Sequence, residues 1–222
     1  MPVLNNWSVD TMEEDFWHNR WQTNQIGFHE PKPNPRLINH FHELDLKDNS
    51  RIFVPLCGKT LDIQWLLSKG HQVVGVELSG LAITQLFDSL SLEPEVTQLG
   101  ELKHYHAKNI DILVGNFFDL TRSILGQVDA IYDRAALVAL PEDMRQKYTK
   151  HLITITNKAP HLLLTYSYDQ SLTNGPPFSV DQDMVQTYYS AHYSIKLLGS
   201  EPVPNGLRGQ FPSTQSVWIL KT

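Results

Sequence analysis

The chain has 222 residues and is 41% hydrophobic, which is enough for one domain with a core between a sheet and two helix layers. Its formal net charge is −6 and its 18 basic residues are scattered, so it has no electrostatic footprint for a nucleic-acid partner. The single cysteine, Cys57, excludes an internal disulfide. No apolar run reaches the roughly 18 residues of a membrane span, and the amino terminus lacks the pattern of a signal peptide. These features predict a cytoplasmic protein of one domain, residues 1–222, without a membrane or nucleic-acid partner.

The beginning of the chain predicts two helices joined by a stiff turn. Residues 10–21 carry acidic side chains where a helix begins and place Trp17 and Trp21 on one face. A Gly-Phe-His turn and three alternating prolines separate this helix from a second one, which is predicted over 35–46. Because an isolated helix of about three turns is only marginally stable, we expect residues 1–33 to form a lid that orders over a bound ligand.

Residues 51–77 form the most informative pattern of the chain, a strand, a tight turn, a helix and a second strand. Two apolar β-branched runs bracket a segment of helical length. The turn begins at Leu56, at the carboxyl end of the first strand, where open α/β sheets bind ligands. Glu77 ends the second strand about twenty residues later, where an acidic side chain can accept hydrogen bonds from ribose hydroxyls. This pattern is typical of a nucleoside-binding βαβ unit.

The composition of the turn limits which nucleoside can bind. A dinucleotide site needs Gly-x-Gly-x-x-Gly so that the pyrophosphate can approach the backbone, but this turn has one glycine, Gly58, after Pro55 and Leu56. A P-loop is excluded because its first glycine would fall at Phe53. A turn with few free N–H groups suits a ligand without phosphate, and S-adenosylmethionine is the common cofactor of this kind. The alternative is an ordinary α/β turn with Glu77 as a solvated strand end.

The remainder of the chain continues the alternation of strands and helices. Further strands are predicted over 103–107, 110–115, 127–133, 162–166, 193–199 and 214–221, and further helices over 80–90, 141–157 and 181–190. Right-handed crossovers between such units produce a doubly wound parallel sheet. No helix separates the last two strands, so they should pair antiparallel to each other. We therefore predict an α/β fold with a mostly parallel seven-stranded sheet and an antiparallel C-terminal strand pair.

The candidate functional residues stand at the ends of predicted strands. Leu56 and Glu77 belong to the first two strand ends, the pair Asn116-Phe117 follows a later strand, and Arg134 follows the strand over 127–133. Because the carboxyl ends of parallel strands meet at one edge of a sheet, we expect these side chains to line one site.

Several blocks of the sequence resemble the thiopurine S-methyltransferase family, and they occur in the family's own order from about residue 16 to about residue 180. Two blocks are specific to that family, Pro55-Leu56-Cys57-Gly58-Lys59 and Asp133-Arg134-Ala135-Ala136-Leu137-Val138-Ala139. The others are Phe16-Trp17-x3-Trp21, Gly27-Phe28-His29, Gly70-His71-x-Val73-Val74-Gly75-Val76-Glu77, and Ser167-Tyr168-Asp169 followed by Gly175-Pro176-Pro177-Phe178. The short amino terminus is closer to the bacterial members, and roughly the last forty residues match weakly.

The resemblance implies a Rossmann-like class I fold with S-adenosylmethionine as methyl donor and S-adenosylhomocysteine as product. Trp17 would offer an aromatic face to a sulfonium, and Phe117 would stack on adenine. Arg134 would hold the cofactor carboxylate or an anionic acceptor. The cofactor-binding residues that the resemblance implies are Trp17, Leu56, Glu77, Asn116, Phe117 and Arg134. The substrate-binding residues that it implies are Phe28, Arg134 and Arg208, of which the two arginines would be catalytic.

Three of these side chains also have a simpler structural interpretation. Trp17 could be a core tryptophan on an amphipathic helix, and Phe117 a core phenylalanine beside a polar strand end. Arg134 could form an ion pair with Asp133 or Asp129.

Neither a nucleophile nor a metal site is predicted. Cys57 stands near Lys59, but methyl transfer needs no enzyme nucleophile, so we interpret this thiol as structural. The pairs His104-x-His106 and His40-x-His42 lack a third ligand at a recognisable spacing. We interpret both histidine pairs as exposed polar faces.

The sequence and the resemblance together predict methyl transfer to the sulfur of a thiopurine or another small aromatic or heteroaromatic thiol. Selenium and tellurium compounds are further acceptors that the resemblance to bacterial members implies. The enzyme would align acceptor and methyl group and exclude water, and we expect it to act as a monomer. One alternative is a class I methyltransferase that acts on oxygen or nitrogen of another metabolite. The other is a non-catalytic S-adenosylmethionine-binding module.

Overall fold

The computed structural model describes the backbone of residues 9–222 and the side chains of residues 14–222. The strands of this part of the chain form one sheet. In chain order they are β1 (Arg51–Pro55), β2 (Gln72–Glu77), β3 (Glu95–Leu99), β4 (Leu102–Ala107), β5 (Ile110–Val114), β6 (Ala130–Asp133), β7 (His161–Tyr168), β8 (Ser194–Pro202) and β9 (Ser213–Lys221). Their order across the sheet is β3-β4-β5-β2-β1-β6-β7-β9-β8.

Helices cover both faces of this sheet. They are α1 (Val9–Gln22), α2 (Pro35–His40), α3 (Leu61–Ser68), α4 (Gly80–Leu90), α5 (Arg122–Leu125), α6 (Glu142–Ile155) and α7 (Gln182–Tyr189). Successive side chains of a strand point to opposite faces, and β1 shows the result. Ile52 and Val54 pack in a cluster with α2, α3 and α4, whereas Phe53 packs with α5, α6 and α7. Within residues 9–222, no helix is both long and apolar enough to cross a membrane.

The centre of the sheet is parallel and its two sides are antiparallel. β1 pairs in parallel with β2 and β6, β2 pairs with β5, and β6 pairs with β7. β3, β4 and β5 form an antiparallel extension on one side, and β7, β9 and β8 form another on the opposite side. The predicted doubly wound α/β fold with an antiparallel C-terminal pair is therefore confirmed.

The sheet has nine strands, more than the seven of the predicted fold type and the eight predicted along the chain. Of the nine, β3 is the strand that the sequence pattern misses. All five of its residues are exposed. It therefore lacks the alternation of apolar and polar residues that marks a half-buried strand. Backbone hydrogen bonds to β4, in the register Glu95↔His106 to Leu99↔Leu102, hold this strand at the edge of the sheet.

The chain topology places a crevice at the carboxyl ends of the parallel strands. From β1 the chain continues to β2 on one side, whereas β6 pairs with β1 on the other side, so the strand order reverses between β1 and β6. Open α/β sheets bind ligands at such a position. Leu56, Glu77, Asn116 and Arg134 stand at or just after these strand ends, as predicted.

The helices that follow the first two strands are capped at the same edge. Thr60 accepts a hydrogen bond from the backbone N–H of Asp62 at the start of α3. Ser79 accepts one from the backbone N–H of Ala82 at the start of α4. Each cap satisfies a backbone donor that the first helical turn leaves unpaired. The amino-terminal ends of α3 and α4 are thereby fixed beside the crevice.

A cluster of titratable side chains is buried on the α6 face of the sheet. Asp133 accepts hydrogen bonds from the Tyr148 hydroxyl at 2.7 Å and from the backbone N–H of Leu137 at 3.1 Å. Burial raises the pKa of Asp133 to about 6. His161 is fully buried, and its Nε2 lies 3.9 Å from Asp133 Oδ2, beyond hydrogen-bonding distance. Burial lowers the pKa of His161 to about 3, so this ring is neutral in the folded protein at neutral pH.

We expect His161→Phe to change how stability depends on pH. The unfolded chain protonates this histidine near pH 6.5 but the folded protein only near pH 3, so its contribution to stability is lost as pH falls between these values. The limiting slope for one proton is about 1.4 kcal/mol per pH unit. The raised pKa of Asp133 acts in the opposite direction, because its contribution is lost as pH rises through about 6. Without His161, unfolding free energy should therefore fall less steeply between pH 6 and pH 4.

Urea unfolding at pH 4, 5, 6 and 7 measures this difference. His192→Phe provides the matched control, because His192 is an exposed histidine. Parallel stability curves for the parent and His161→Phe would contradict the assignment of a neutral, buried His161.

Candidate active site

A cavity of about 630 Å³ opens at the carboxyl edge of the parallel strands. Its walls come from the strand ends, from the segment that connects α1 to α2, and from the loop between β8 and β9. Every site residue that the sequence predicts lines this cavity. They are Trp17, Phe28, Leu56, Glu77, Asn116, Phe117, Arg134 and Arg208.

The turn after β1 brings backbone to the cavity in an unusual conformation. Leu56 has a φ of +45°, a left-handed conformation that is costly for a residue with a side chain. The next residue anchors it, because the backbone N–H of Cys57 donates to the carbonyl of Val76 at 3.0 Å. Gly58 has a φ of +52°, and a Cβ at this position would lie 3.0 Å from the Trp21 ring. The turn therefore requires glycine here both for its backbone and for the close approach of Trp21.

Glu77 is buried at the floor of the cavity and binds backbone on both sides. Its Oε2 accepts a hydrogen bond from the N–H of Gly58 at 2.8 Å, and its Oε1 accepts one from the N–H of Ser79 at 2.9 Å. Burial raises the pKa of this carboxyl group, while these backbone N–H groups act to lower it. Each carboxylate oxygen can accept two hydrogen bonds. The two oxygens therefore retain acceptor capacity toward the cavity, and the interpretation of Glu77 as a solvated strand end is wrong.

Asn116 and Phe117 also line the cavity, and both make contacts within the protein. Asn116 caps a short 3₁₀ helix by accepting from the N–H of Phe118, and its Nδ2 donates to Glu14 Oε1 at 2.8 Å. This hydrogen bond ties α1 to the strand ends. The Phe117 ring is 5% exposed and lies 4.8 Å from the Tyr148 ring, between centroids. Phe117 therefore serves as a core residue whose edge forms part of the cavity wall.

Arg134 is held by carboxylates that the sequence did not indicate. Its Nη2 lies 2.6 Å from Glu30 Oε1, and its Nη1 lies 3.7 Å from Asp62 Oδ2. Burial acts to lower the pKa of Arg134, but Tyr132 and the two carboxylates raise it, so the guanidinium stays charged. A further hydrogen bond runs from Nη2 to the carbonyl of Phe28 at 3.2 Å. The buried guanidinium thus joins the amino-terminal segment to the strand ends.

The alternative interpretation, in which Arg134 forms an ion pair with Asp133 or Asp129, is wrong, because its carboxylate partners are Glu30 and Asp62. Asp133 bonds to Tyr148 and to backbone N–H groups, as described above, and Asp129 accepts from the N–H of Arg51 at 2.7 Å. Successive side chains along a strand point to opposite faces of the sheet. The side chain of Arg134, which follows the last residue of β6, is therefore separated from that of Asp133.

Three aromatic rings, those of Trp17 and Trp21 on α1 and of Phe28 after it, form one side of the cavity. The Phe28 ring lies edge to face with Trp17 at 5.7 Å and with Trp21 at 5.4 Å, between centroids. Trp21 is only 5% exposed, whereas Trp17 is partly exposed toward the cavity. Trp21 is therefore the buried tryptophan of this helix, and both tryptophans line the cavity, with Trp17 the more exposed of the two.

Arg208 lines the cavity from the loop between β8 and β9. It has a φ of +55°, and its Nη2 donates to the carbonyl of Pro176. Its neighbour Leu207 and the prolines Pro176 and Pro177 line the same side. The weakly matching carboxyl-terminal part of the chain therefore does contribute an arginine to the cavity.

Asp62 and His29 are among the cavity residues that sequence reasoning missed. Asp62 is 1% exposed, and it accepts from the N–H of Asn34 at 2.6 Å and from the Tyr132 hydroxyl at 3.0 Å. His29 is half-buried, and burial together with Lys59 and Arg134 lowers its pKa. In the sequence, only the position of Asp62 in the first turn of α3 and the Gly-Phe-His turn that contains His29 could have indicated these two residues. Neither signal shows that the side chain reaches the cavity.

Known proteins resemble this chain along most of its length. The sequence model of the thiopurine S-methyltransferase family matches residues 12–210. The chain is 51% identical over 211 residues to a thiopurine S-methyltransferase of Xanthobacter autotrophicus, covering 95% of this chain and 99% of the relative. It is 50% identical over 209 residues to one of Teredinibacter turnerae, covering 94% and 97% respectively.

Solved structures of methyltransferases share the fold. A 1,6-didemethyltoxoflavin-N1-methyltransferase of Burkholderia thailandensis, with bound S-adenosylhomocysteine, superimposes with a TM-score of 0.65 at 12% identity, covering 100% of this chain and 93% of that one. The magnesium protoporphyrin IX methyltransferase of Synechocystis gives a TM-score of 0.60 at 13% identity, covering 96% and 100%. At these identities the likeness concerns the fold alone.

Proposed function

The chain belongs to the thiopurine S-methyltransferase family of S-adenosylmethionine-dependent methyltransferases, and on that premise we propose that it methylates the sulfur of a thiopurine or another small aromatic or heteroaromatic thiol. One observation carries the proposal. A single cavity joins a buried carboxylate, Glu77, to an aromatic wall and to two arginines, Arg134 and Arg208. The carboxylate suits a ribose, and the arginines suit an anionic acceptor.

The residues on the floor of the cavity fit the cofactor. Each oxygen of Glu77 uses one acceptor position on backbone N–H groups, which leaves the other for ribose hydroxyls. The turn at Leu56 exposes backbone without the glycines that a pyrophosphate would need. Trp17 presents a ring toward which a sulfonium is attracted by about 0.5–2 kcal/mol, depending on desolvation. We assign cofactor binding to Trp17, Leu56, Glu77, Asn116, Phe117 and Arg134.

S-adenosylmethionine, when bound, supplies a methyl group already attached to a leaving group, so the protein has to align and desolvate the reactants. We assign Phe28 to the wall between cofactor and acceptor. Aromatic thiols and thiopurines ionise readily enough to supply a thiolate near neutral pH, so no strong base is needed. Arg134 and Arg208 would hold this anion electrostatically in a site with restricted access to water.

The same arrangement suits heavier nucleophiles. Selenium and tellurium anions are soft and polarisable like a thiolate, and an arginine recognises their charge without a specific hydrogen-bond pattern. We therefore extend the proposal to selenium and tellurium compounds, whereas thiopurines themselves are synthetic and stand for the acceptor class.

An assay with methyl-labelled cofactor tests the acceptor class. Panels of thiols, selenols, phenols and amines are compared under identical conditions. We expect label on thiols and selenols. Label that appears only on phenols or amines would overturn the thiol assignment, and cofactor binding without turnover on any acceptor would favour a non-catalytic binding module.

Glu77→Ala should weaken binding of S-adenosylhomocysteine strongly. Hydrogen bonds to a charged group contribute roughly 1.5–3 kcal/mol each before desolvation, so we expect a loss of affinity of at least about tenfold. Isothermal titration calorimetry below the unfolding temperature measures it, with the exposed Glu101→Ala as control. An unchanged dissociation constant would show that the ribose is not held by Glu77.

Arg134→Lys should lower kcat/KM by roughly tenfold or more, because a point charge replaces a planar fork that can bind an anion through two bonds. Steady-state kinetics of the variant are compared with those of Glu30→Gln, which removes the charge of the carboxylate paired with Arg134. We expect Glu30→Gln to bind the anionic ligand as well as or better than the parent. Parental kinetics in Arg134→Lys would assign this arginine to a structural ion pair only.

We propose that residues 1–33 close over the bound ligands, although residues 1–8 lie outside the described part of the chain. Hydrogen exchange of residues 12–29 should slow when S-adenosylhomocysteine and an acceptor analogue bind. Glu14→Ala removes the hydrogen bond to Asn116 and should speed exchange in the absence of ligand. Equal protection of the parent protein with and without ligands would mean that the segment is a fixed part of the fold.

A further inference from the structure

Three metal-ligating side chains meet on one face of the β4–β5 hairpin. His104 and His106 are two residues apart on β4 and therefore point to the same face. Asp111 is the direct cross-strand partner of His106 in the antiparallel register and the diagonal neighbour of His104. Side chains in these two relations lie within reach of each other. The hairpin thus supplies the third ligand that the spacing of the two histidines alone did not reveal.

The ligand atoms converge on one point. The Nε2 of His104 and the Nδ1 of His106 each lie 2.8 Å from the Oδ1 of Asp111, and the three atoms all lie within 4.8 Å of one another. Bonds of about 2.0–2.1 Å to a tetrahedral ion place neighbouring ligand atoms about 3.3 Å apart. Small rotations of these side chains are therefore enough to admit an ion where two hydrogen bonds now meet. Among the side chains of residues 14–222, no other group of three His, Cys, Asp or Glu residues comes as close.

Arg51 orients the carboxylate of this cluster. Its Nη2 donates to the other oxygen of Asp111, Oδ2, at 3.3 Å, and its Nη1 donates to the carbonyl of Gln127 at 3.3 Å. This arrangement turns Oδ1 toward the two histidines. Partners behind the ligands that fix their orientation are typical of protein metal sites.

The cluster is open to solvent on one side. The side chain of His106 is 53% exposed, whereas those of His104 and Asp111 are 25% and 26% exposed. A metal ion held by the three side chains would therefore have water available as its fourth ligand.

We propose that His104, His106 and Asp111 bind one divalent transition-metal ion of the zinc class. Two imidazoles and one carboxylate are ligands that Zn²⁺ accepts, whereas Mg²⁺ and Ca²⁺ prefer oxygen ligands throughout. The ion links β4 to β5 and so fastens the antiparallel extension to the parallel centre of the sheet. Its role is structural, because Asp111 and Arg51 stand at the amino ends of their strands, opposite the edge that carries the cavity.

Titration of the full chain with Zn²⁺ tests the proposal. Calorimetry should show one ion per chain, and His106→Ala should weaken this binding at least about tenfold. Asp111→Asn, which keeps the shape of the side chain, should do the same. His42→Ala is the matched control, since His42 is an exposed histidine of the other His-x-His pair. It should bind Zn²⁺ like the parent.

Two further measurements separate a built site from loose binding to surface histidines. With Co²⁺ bound, the parent should show the visible absorption of a low-coordinate site, and His106→Ala should lose this absorption. Zn²⁺ should raise the thermal unfolding midpoint of the parent but not that of His106→Ala, and Mg²⁺ should raise neither. Circular dichroism confirms that the variants are folded, and their methyl transfer should equal that of the parent. Equal Zn²⁺ affinity in the parent and His106→Ala, or no binding by the parent, would overturn the proposal.

Discussion

The carboxylate of Glu77 fixes the geometry on which the cavity depends. Its two oxygens accept hydrogen bonds from the turn after β1, at Gly58, and from the start of α4, at Ser79. These bonds offset part of the cost of burying a charged group. Because β1 and β2 are adjacent parallel strands, one side chain sets the relative position of both strand ends. The unfavourable backbone of Leu56 persists because the turn is held from both sides.

The second constraint is the charge of Arg134. A guanidinium that is 10% exposed needs partners, and Glu30 and Asp62 provide them. Asp62 also accepts hydrogen bonds from Asn34 and Tyr132, so the charge network attaches the amino-terminal segment to the sheet. An anion that binds Arg134 has to share it with Glu30 or displace that carboxylate. Under the proposed role of Arg134, ligand binding would be coupled to the position of the amino-terminal segment through this one side chain.

The local sequence determined the class of the fold and the edge of the sheet that carries the site. Alternating strand and helix patterns require crossovers of one hand, and a parallel sheet with its ligand crevice at the carboxyl ends follows. The position of Leu56, Glu77, Asn116 and Arg134 at strand ends was therefore predictable, as was the antiparallel final pair. The turn with a single glycine excluded a pyrophosphate for a local reason, the number of backbone N–H groups within reach.

Only the tertiary structure decided which partners these residues have. The pairing of Glu14 with Asn116 spans 102 positions and that of Asn34 with Asp62 spans 28, and no local pattern encodes either. Packing also decided that Trp21 is buried while Trp17 stays partly exposed, although both lie on one helix face and both line the cavity. The edge strand β3 and the meeting of Asp111 with His104 and His106 depend on strand register. Side-chain periodicity and spacing describe residues that are close in sequence, whereas these contacts join residues on strands and helices that only folding brings together.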